Sequence, residues 1–339
     1  MIRECIAKLA EGSLPSGEEA YATMKEIMAG EATDAQIAAY ITALRIQGET
    51  ADIIAGSVRA MRERFTPVAA GRDIVVDTCG TGGDGAHTLN ISTAAALVTA
   101  GAGVTVAKHG NRSVSSRSGS ADVLESLGVD INVRPDIMEA CLEDVGVAFL
   151  FAVSLHPAMK YAIGPRREIA IRTIFNILGP LSNPASARHG VLGVFSDPMV
   201  NLIADAAADL GFEHFFVVHG RDGLDEITTT TTTHVAEVKD GTVRHYDLDP
   251  TDLGISPATI KDLEGGNPPE NAAAIRALLE GQPGPFRDIV LLNAAAAIVA
   301  GGRAGDFAEG MAIAAEAIDS GAAMSKLDAL IERTSAAGA

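Results

Sequence analysis

The sequence predicts an α/β protein: a small all-α domain followed by a larger α/β domain, whose mostly parallel central sheet is wrapped by helices. Residues 1–65 space their apolar side chains three and four positions apart and contain no convincing strand. From residue 73 onward, short β-branched runs alternate with helical segments, which is typical of parallel strands joined by crossover helices. The change of pattern near residue 73 therefore separates an all-helical unit from an α/β unit.

The all-helical unit contains three predicted helices. Thr33 and Thr50 are predicted N-caps, because a hydroxyl at that position accepts a hydrogen bond from a free backbone N–H of the first turn. Gly30 and Gly48 mark two helix ends. The helices are predicted over residues 18–29, 34–45 and 51–64.

Strands and helices alternate through the rest of the chain. The strands are predicted over residues 73–77, 104–107, 147–152, 191–195 and 215–218. The helices are predicted over residues 92–100, 121–127, 136–145, 198–210, 271–280, 286–300, 306–319 and 325–334. Residues 157–178 are also helical in pattern and pack either on the sheet or on the N-terminal helices. The threonine run at residues 228–233 is expected to be an extended edge segment, because threonine favours strands.

Composition narrows the classes of protein that fit. With 339 residues, of which 47% are hydrophobic, the chain has enough apolar surface for a sizeable core. Its 26 Lys and Arg against 44 Asp and Glu give a net charge of −18, which disfavours nucleic acid and anionic membranes as partners. The three cysteines lack metal-type spacing, and we expect neither a signal peptide nor an apolar span of about 20 residues. These features predict a reduced, cytoplasmic setting.

A Gly-rich loop follows the first predicted strand. Residues 80–85 (GTGGDG) match the G-x-G-x-x-G spacing of dinucleotide-binding proteins. A nicotinamide cofactor is disfavoured, because the next helix starts several residues late and the following strand ends in Lys108 instead of an acid. The loop still offers N–H groups to an anion, and residues 90–93 place hydroxyls at a predicted helix N-terminus. We therefore expect a phosphate site here.

A second anion site is expected at residues 108–117, which follow the second predicted strand at the same carboxyl edge of the sheet. This segment has three fixed positive charges and no acid. Two neighbouring phosphate sites suggest a ligand with phosphate at both ends, such as a phosphorylated sugar pyrophosphate. Asp225 and Glu226 follow another strand at that edge, and carboxylates beside a pyrophosphate are natural Mg²⁺ ligands.

A third basic cluster lies in a helical segment and consists of Lys160, Arg166, Arg167 and Arg172. Arginine suits a carboxylate better than lysine does, because its planar fork donates two parallel hydrogen bonds. Cys79, beside the Gly-rich loop, is disfavoured as a nucleophile because no paired histidine is apparent.

Seven motifs, in order along the chain, together resemble the anthranilate phosphoribosyltransferase family. They are residues 80–84 (GTGGD), 90–93 (NIST), 108–112 (KHGNR), 119–122 (GSAD), 156–160 (HPAMK), 172–180 (RTIFNILGP) and 223–226 (GLDE). The resemblance runs nearly end to end. It implies a pentosyltransferase of L-tryptophan biosynthesis that moves the phosphoribosyl group of 5-phosphoribosyl 1-pyrophosphate onto the amine of anthranilate. The products would be N-(5-phosphoribosyl)anthranilate and pyrophosphate.

The resemblance also implies an organisation. The helical domain would span residues 1–70, with residues 166–185 packing onto it, and the α/β domain would span residues 73–165 and 186–339. Members of the family usually assemble as homodimers through their helical domains. The same family pattern implies two magnesium ions as cofactor.

Site residues follow from the resemblance, position by position. Phosphoribosyl pyrophosphate would be bound by Gly80, Gly83, Asp84, Thr88, Asn90, Ile91, Ser92, Thr93, Lys108, His109, Gly110, Asn111, Arg112, Ser113, Val114, Ser115, Ser116 and Ser120. Anthranilate would contact Gly80, Asn111 and Arg166, with its carboxylate on Arg166. Magnesium would be held by Ser92, Asp225 and Glu226. His109 and His156 are the candidate proton acceptors, and each has a packing role as its alternative.

Three other classes of protein share some of these features. The pyrimidine nucleoside phosphorylases share the architecture but use phosphate and a nucleoside, and residues 108–112 with Arg166 favour the anthranilate enzymes over them. A nicotinamide-dependent oxidoreductase would need an acidic residue at the end of the second strand, and this chain has Lys108 there. A diverged, non-catalytic relative that binds nucleic acid would need an extended basic face, which the net charge of −18 disfavours.

Overall fold

The computed structural model of the chain describes residues 1–83, 85–113 and 117–336, and its strands form one seven-stranded sheet. The helices are α1 (Ile2–Ala10), α2 (Gly17–Met28), α3 (Asp34–Gln47), α4 (Ala51–Arg62), α5 (Ile91–Gly101), α6 (Ser120–Leu127), α7 (Pro135–Ala140), α8 (Ala152–Leu155), α9 (Lys160–Ile169), α10 (Phe175–Leu178), α11 (Asp197–Asp209), α12 (Pro268–Leu279), α13 (Pro285–Ala300), α14 (Phe307–Asp319) and α15 (Ala322–Ser335). The strands are β1 (Val76–Gly80), β2 (Val106–Gly110), β3 (Val147–Phe151), β4 (His189–Gly193), β5 (His214–Gly220), β6 (Thr233–Lys239) and β7 (Thr242–Leu248).

The N-terminal helices confirm the prediction of an all-helical unit, with one omission. Helices α2, α3 and α4 match the three predicted helices, and Thr33 and Thr50 cap α3 and α4. Helix α1 was not predicted, because its N-cap, Met1, makes no side-chain capping bond that would signal a start. It is held instead by burial of Ile2, Cys5 and Leu9 on one face.

The sheet has the order β3-β2-β1-β4-β5-β6-β7. Strands β1 to β5 are parallel, and β6 and β7 add an antiparallel hairpin that the sequence did not predict. The prediction of a mostly parallel sheet wrapped by helices is therefore confirmed. Because β1 lies between β2 and β4, in the middle of the five parallel strands, the loop that follows it emerges between the loops of its neighbours.

Three predicted strands were wrong in position. Strand β1 begins at Val76 instead of residue 73, and β2 begins at Val106 instead of residue 104. Strand β4 spans His189–Gly193 instead of residues 191–195. Pairing decides the register, since Val76 faces both Val106 and His189 while Ile74 stays exposed to solvent. The shift places Lys108 and its neighbours inside a buried strand, whereas the sequence placed them in the loop after it.

The expectation of an extended edge segment at residues 228–233 was also wrong. Only Thr233 belongs to a strand, and β6 is an interior strand between β5 and β7. The preceding threonines form a turn, in which the hydroxyls of Thr228 and Thr230 donate to the carboxylate of Asp222. Hydrogen bonding to this acid, which period-two patterning does not register, overrides the strand preference of threonine.

Helices cover both faces of the sheet. One core joins α5, α6 and α12–α15 to β2 and β3. A second core joins α1–α4 to α11 and the opposite face of β4 and β5, and it includes Ala162 of α9 and Phe175 of α10. Helix α9 packs against α2 and α3. Within the described ranges, no helix combines the length and apolar composition that a membrane span requires.

Candidate active site

The centre of the candidate site is the junction of β1 and β2, where the main-chain pairing is interrupted. Strand β1 pairs with β4 at five successive positions, but with β2 it pairs only at Val76 and Val106. Beyond that pair, side chains take the place of the main-chain ladder. The ammonium of Lys108 donates to the carbonyl of Thr78 at 2.5 Å, and the carboxylate of Asp77 accepts from the N–H of His109 at 3.0 Å.

Lys108 brings a positive charge beneath the N-terminus of α5. Its side chain is 3% exposed, and its Nζ also lies 3.3 Å from the hydroxyl of Ser92. Burial lowers the pKa of Lys108, and the negative charges of Asp77 and Glu226 oppose that shift. A cation in this position is suited to an anion bound at the helix N-terminus.

Asp77 and Asn183 were missed by the sequence analysis. Asn183 reaches from the segment after α10, and its amide donates to the Asp77 carboxylate at 2.7 Å and to the Ala107 carbonyl at 2.8 Å. Burial raises the pKa of Asp77 to about 6, against the opposing effects of Asn183 and Lys108. The only feature of the sequence that pointed to Asp77 was its position as an acid in a β-branched run.

The Gly-rich loop lies directly against Asp225. The N–H of Gly82 donates to a carboxylate oxygen of Asp225 at 2.7 Å. A Cβ added at Gly80 would lie 2.5 Å from the same oxygen, and one at Gly193 would overlap the Asp225 backbone. Gly82 and Gly83 have φ of 65° and 80°, a region that side chains disfavour. Only glycine permits this close approach.

The N-terminus of α5 holds the second predicted carboxylate. The N–H of Ser92 donates to Glu226 at 3.2 Å. Asn90, at the N-cap position, is fixed through its side-chain oxygen, which accepts from Ser118 at 3.1 Å and from Asn271 at 2.8 Å. Both predicted metal carboxylates therefore occupy backbone N–H groups of the predicted phosphate site.

The predicted magnesium ligands fit a cation shared with a substrate. Ser92, Asp225 and Glu226 supply the oxygen donors that Mg²⁺ prefers, and they converge on the Gly-rich loop and the start of α5. In the part of the chain that the structure describes, no group of three or more His, Cys, Asp or Glu side chains is placed to hold a metal. These residues would therefore hold magnesium together with phosphate oxygens and water.

The predicted second anion site is more neutral than the sequence indicated. Arg112 pairs with Asp122 at 3.0 Å and with Glu125 at 2.5 Å, and Arg117 pairs with Glu264 at 3.4 Å. Residues 108–117 contain no acid, but α6 supplies two acidic partners and the segment before α12 supplies a third. Lys108 is therefore the buried positive charge of this segment.

The remaining predicted residues fall around these elements. Thr88 pairs in an isolated bridge with Glu264, and Ile91 and Thr93 are buried in the first turn of α5. The hydroxyl of Ser120 donates to the carbonyl of the exposed Asn111 at 3.2 Å. Gly110 ends β2, and the N–H of Ser113 donates to Asp122. The predicted residues outside the described ranges are Asp84, Val114, Ser115 and Ser116.

His109 and His156 form a buried pair, with 3.1 Å between their Nε2 atoms. Burial lowers the pKa of His109 to about 3, helped by its neighbour His156, and lowers the pKa of His156 to about 4. Both rings are therefore neutral at physiological pH. Burial likewise raises the pKa of Cys79 well above its usual range, so this thiol is protonated. Because the thiolate is the nucleophilic form, Cys79 remains disfavoured as a nucleophile.

Arg166 is the half-buried member of the third basic cluster. Its guanidinium lies 5.3 Å from the ring centre of Phe175, and burial lowers its pKa. No carboxylate of the described chain pairs with it. Arg172 lies over Phe195, beside Gly83 of the Gly-rich loop. A cation that has lost water without gaining an acid is suited to a carboxylate ligand.

Comparison with known proteins shows the family to which the chain belongs. Residues 3–65 match a family model described as "Glycosyl transferase family, helical bundle domain", and residues 72–324 match "Glycosyl transferase family, a/b domain". An anthranilate phosphoribosyltransferase from Anaeromyxobacter dehalogenans (strain 2CP-C) is 55% identical over 334 residues, covering 98% of this chain and 99% of that protein. The chain belongs to the anthranilate phosphoribosyltransferase family.

Solved structures of anthranilate phosphoribosyltransferases have the same fold. The enzyme from Thermus thermophilus matches with a TM-score of 0.93 and 43% identity, covering 98% of this chain and 99% of that one. The Saccharomyces cerevisiae enzyme in complex with PRPP and Mg has a TM-score of 0.90 and 27% identity, covering 99% and 98%. The same yeast enzyme in complex with 4-fluoroanthranilate has a TM-score of 0.88 and 26% identity, with the same coverage. The resemblance and the fold class are confirmed.

The histidine pair of this anthranilate phosphoribosyltransferase family member predicts a pH effect on stability. Both folded-state pKa values lie below the ordinary histidine value, so the unfolded chain takes up protons first. The contribution of the neutral pair to the free energy of unfolding is fully present above about pH 6.5, and it is lost as the pH drops toward about 4. We expect His156→Asn to lose less stability than the wild type between about pH 7.5 and about pH 5.

Urea denaturation at the two pH values measures this difference. Asp77, whose raised pKa acts in the opposite direction, contributes to both proteins. The exposed His245 provides the control, since His245→Asn should retain the acid sensitivity of the wild type. Equal losses in the wild type and in His156→Asn would show that the pair does not titrate as described.

Proposed function

We propose that this chain transfers the phosphoribosyl group of 5-phosphoribosyl 1-pyrophosphate to the amine of anthranilate, as a step of L-tryptophan biosynthesis. The observation that carries the proposal is the convergence of a Gly-rich loop, a helix N-terminus, buried Lys108 and two carboxylates at one edge of the sheet. The names of the relatives, at 55% identity over nearly the whole chain, support the same reaction.

Phosphoribosyl pyrophosphate would bind between the Gly-rich loop and the start of α5. The N–H groups of Gly82 and Ser92 are bonded to Asp225 and Glu226, so phosphate oxygens would use the other backbone N–H groups of the loop and of the first turn of α5, with Lys108 adding a positive charge behind them. The full set proposed for this substrate is the one that the sequence resemblance implies, from Gly80 to Ser120. The yeast relative in complex with PRPP and Mg supports this choice of ligand.

Ser92, Asp225 and Glu226 would hold two magnesium ions in this complex. When bound, magnesium would neutralise charge on the pyrophosphate oxygens. The chain itself supplies the orientation: the loop N–H of Gly82 fixes Asp225, and the helix N–H of Ser92 fixes Glu226. The yeast structure described with Mg supports the choice of metal.

The reaction displaces pyrophosphate from ribose C1 by an aryl amine. Negative charge grows on the leaving group, so preformed donors such as the loop N–H groups and Lys108 stabilise the transition state more than the ground state. Arg166 would hold the anthranilate carboxylate, with Asn111 and Gly80 beside the ring, so that the amine approaches C1 by proximity. Burial lowers the pKa of both His109 and His156 and so makes each imidazole a weaker base. Of the two roles considered for these histidines, this favours packing over accepting the amine proton.

The proposal also includes assembly and location. A cytoplasmic homodimer, associating through its helical domains, fits the apolar side chains exposed on α3 and α9. Ile46 is 77% exposed and Ile163 is 44% exposed, and covering such apolar side chains at an interface would be favourable. We divide the chain at residues 1–70 for the helical domain, with 166–185 packing onto it, and 73–165 with 186–339 for the substrate-binding domain.

Fluorescence of anthranilate tests the reaction directly. We expect the signal to fall when the protein, Mg²⁺ and phosphoribosyl pyrophosphate are mixed with anthranilate, and to stay constant when any one is omitted. A protein that instead cleaves a pyrimidine nucleoside in the presence of phosphate, with no loss of anthranilate, would contradict the proposal.

Arg166→Ala tests the carboxylate anchor. The variant loses a charge-assisted bond to anthranilate, so we expect the anthranilate KM to rise about tenfold or more. The KM for phosphoribosyl pyrophosphate should change little. The neighbouring Arg167, which is exposed, gives the matched control Arg167→Ala. Equal increases in both KM values for Arg166→Ala would refute the assigned role.

Replacing both metal carboxylates tests the magnesium site. In the double variant Asp225→Asn with Glu226→Gln, we expect about tenfold more Mg²⁺ to be needed for half-maximal activity, because two charged ligands are lost. Asp209→Asn, at the exposed end of α11, is the control. An unchanged Mg²⁺ titration would mean that the two acids do not bind the metal.

A further inference from the structure

Asn293 of α13 is a buried amide whose hydrogen bonds are directed at one residue of the candidate site. Its side chain is 3% exposed. Its oxygen accepts from the N–H of Ile227 at 3.0 Å, and its amide donates to the carbonyl of Ile227 at 2.8 Å and to that of Ile289 at 2.9 Å. An amide that binds both main-chain groups of one residue replaces a neighbouring strand.

Ile227 directly follows the two predicted metal carboxylates. Its own side chain is fully buried, in a core that also contains Leu292 and Ala296 of α13. The segment before the carboxylates is held separately, because Asp222 accepts from the N–H of Leu224 at 3.1 Å. The backbone that carries Asp225 and Glu226 is therefore fixed on both sides.

Asn293 and Glu226 also line the same cavity. It is small, lies beneath the start of α5, and is lined by Thr78 and Ser92 as well. Without the Asn293 amide, the buried N–H and carbonyl of Ile227 would lose their partners, and a buried polar group without a partner is costly. The segment would then shift to satisfy them, and Glu226 would move with it.

We propose that Asn293 is a positioning residue for the metal site, which acts through the Ile227 backbone to hold Asp225 and Glu226 in register with Ser92. The inference rests on the proposed function, because it takes these three residues as the magnesium ligands. It assigns a role to a side chain 66 positions away from Ile227 in sequence, on a helix that none of the functional motifs includes.

Mn²⁺ serves as the probe, because free Mn²⁺ is counted directly by electron paramagnetic resonance. Wild-type protein, Asn293→Leu and Asn293→Ala are titrated with Mn²⁺ in the presence of phosphoribosyl pyrophosphate. Loss of the groups that orient metal ligands typically weakens metal affinity about tenfold to a hundredfold. We expect the Mn²⁺ Kd to rise about tenfold in both variants, while the KM for anthranilate stays within about twofold.

Thr334→Val is the matched control, since it removes a buried hydroxyl of α15 that bonds the backbone at Leu330 and Asp130. It should lower stability without changing the Mn²⁺ Kd. The alanine variant leaves room for a water molecule and carries the test if the leucine variant does not fold.

An unchanged Mn²⁺ Kd in a folded Asn293 variant would overturn the positioning role while leaving the metal site in place. Wild-type protein that binds no Mn²⁺ would instead contradict the proposed metal site, and the inference would fail with it. The two failures are therefore distinguishable.

Discussion

The interrupted pairing between β1 and β2 is the constraint on which the rest of the site depends. In a continuous parallel ladder, the main-chain groups of the two strands would bond each other. Here the Lys108 ammonium and the Asp77 carboxylate bond the main-chain groups that the ladder leaves open. One buried positive charge is thereby built into the sheet, below the loop and helix N-terminus where an anion would bind.

Three buried asparagine side chains from distant segments hold the elements around this junction. Asn183 bonds Asp77, Asn271 bonds Asn90, and Asn293 bonds Ile227. An amide supplies both a donor and an acceptor but carries no charge. These residues therefore fix the strand, the helix start and the carboxylate segment without changing the electrostatic balance that the charged groups create.

The sequence was sufficient for the fold class and for the order of the site motifs, because both depend on local patterns of apolar and turn-forming residues. It was insufficient wherever a partner distant in sequence decides the outcome. Strand register was set by Val106 and His189, and the charge of Arg112 was neutralised by Glu125 of a neighbouring helix. The role of Asn293 had no local signal, since it exists only once α13 packs beside the carboxylate segment.

The two edges of the sheet are closed in different ways, and this bears on how copies of the chain are able to associate. Strand β3 is fully buried beneath the helical turn Cys141–Val145 and α15. Strand β7, at the other edge, includes the charged residues Arg244 and Asp247, with His245 and Tyr246 between them. Charged residues on an edge strand discourage the addition of another strand. The fold thus discourages a strand of another copy from adding to the sheet at its β7 edge.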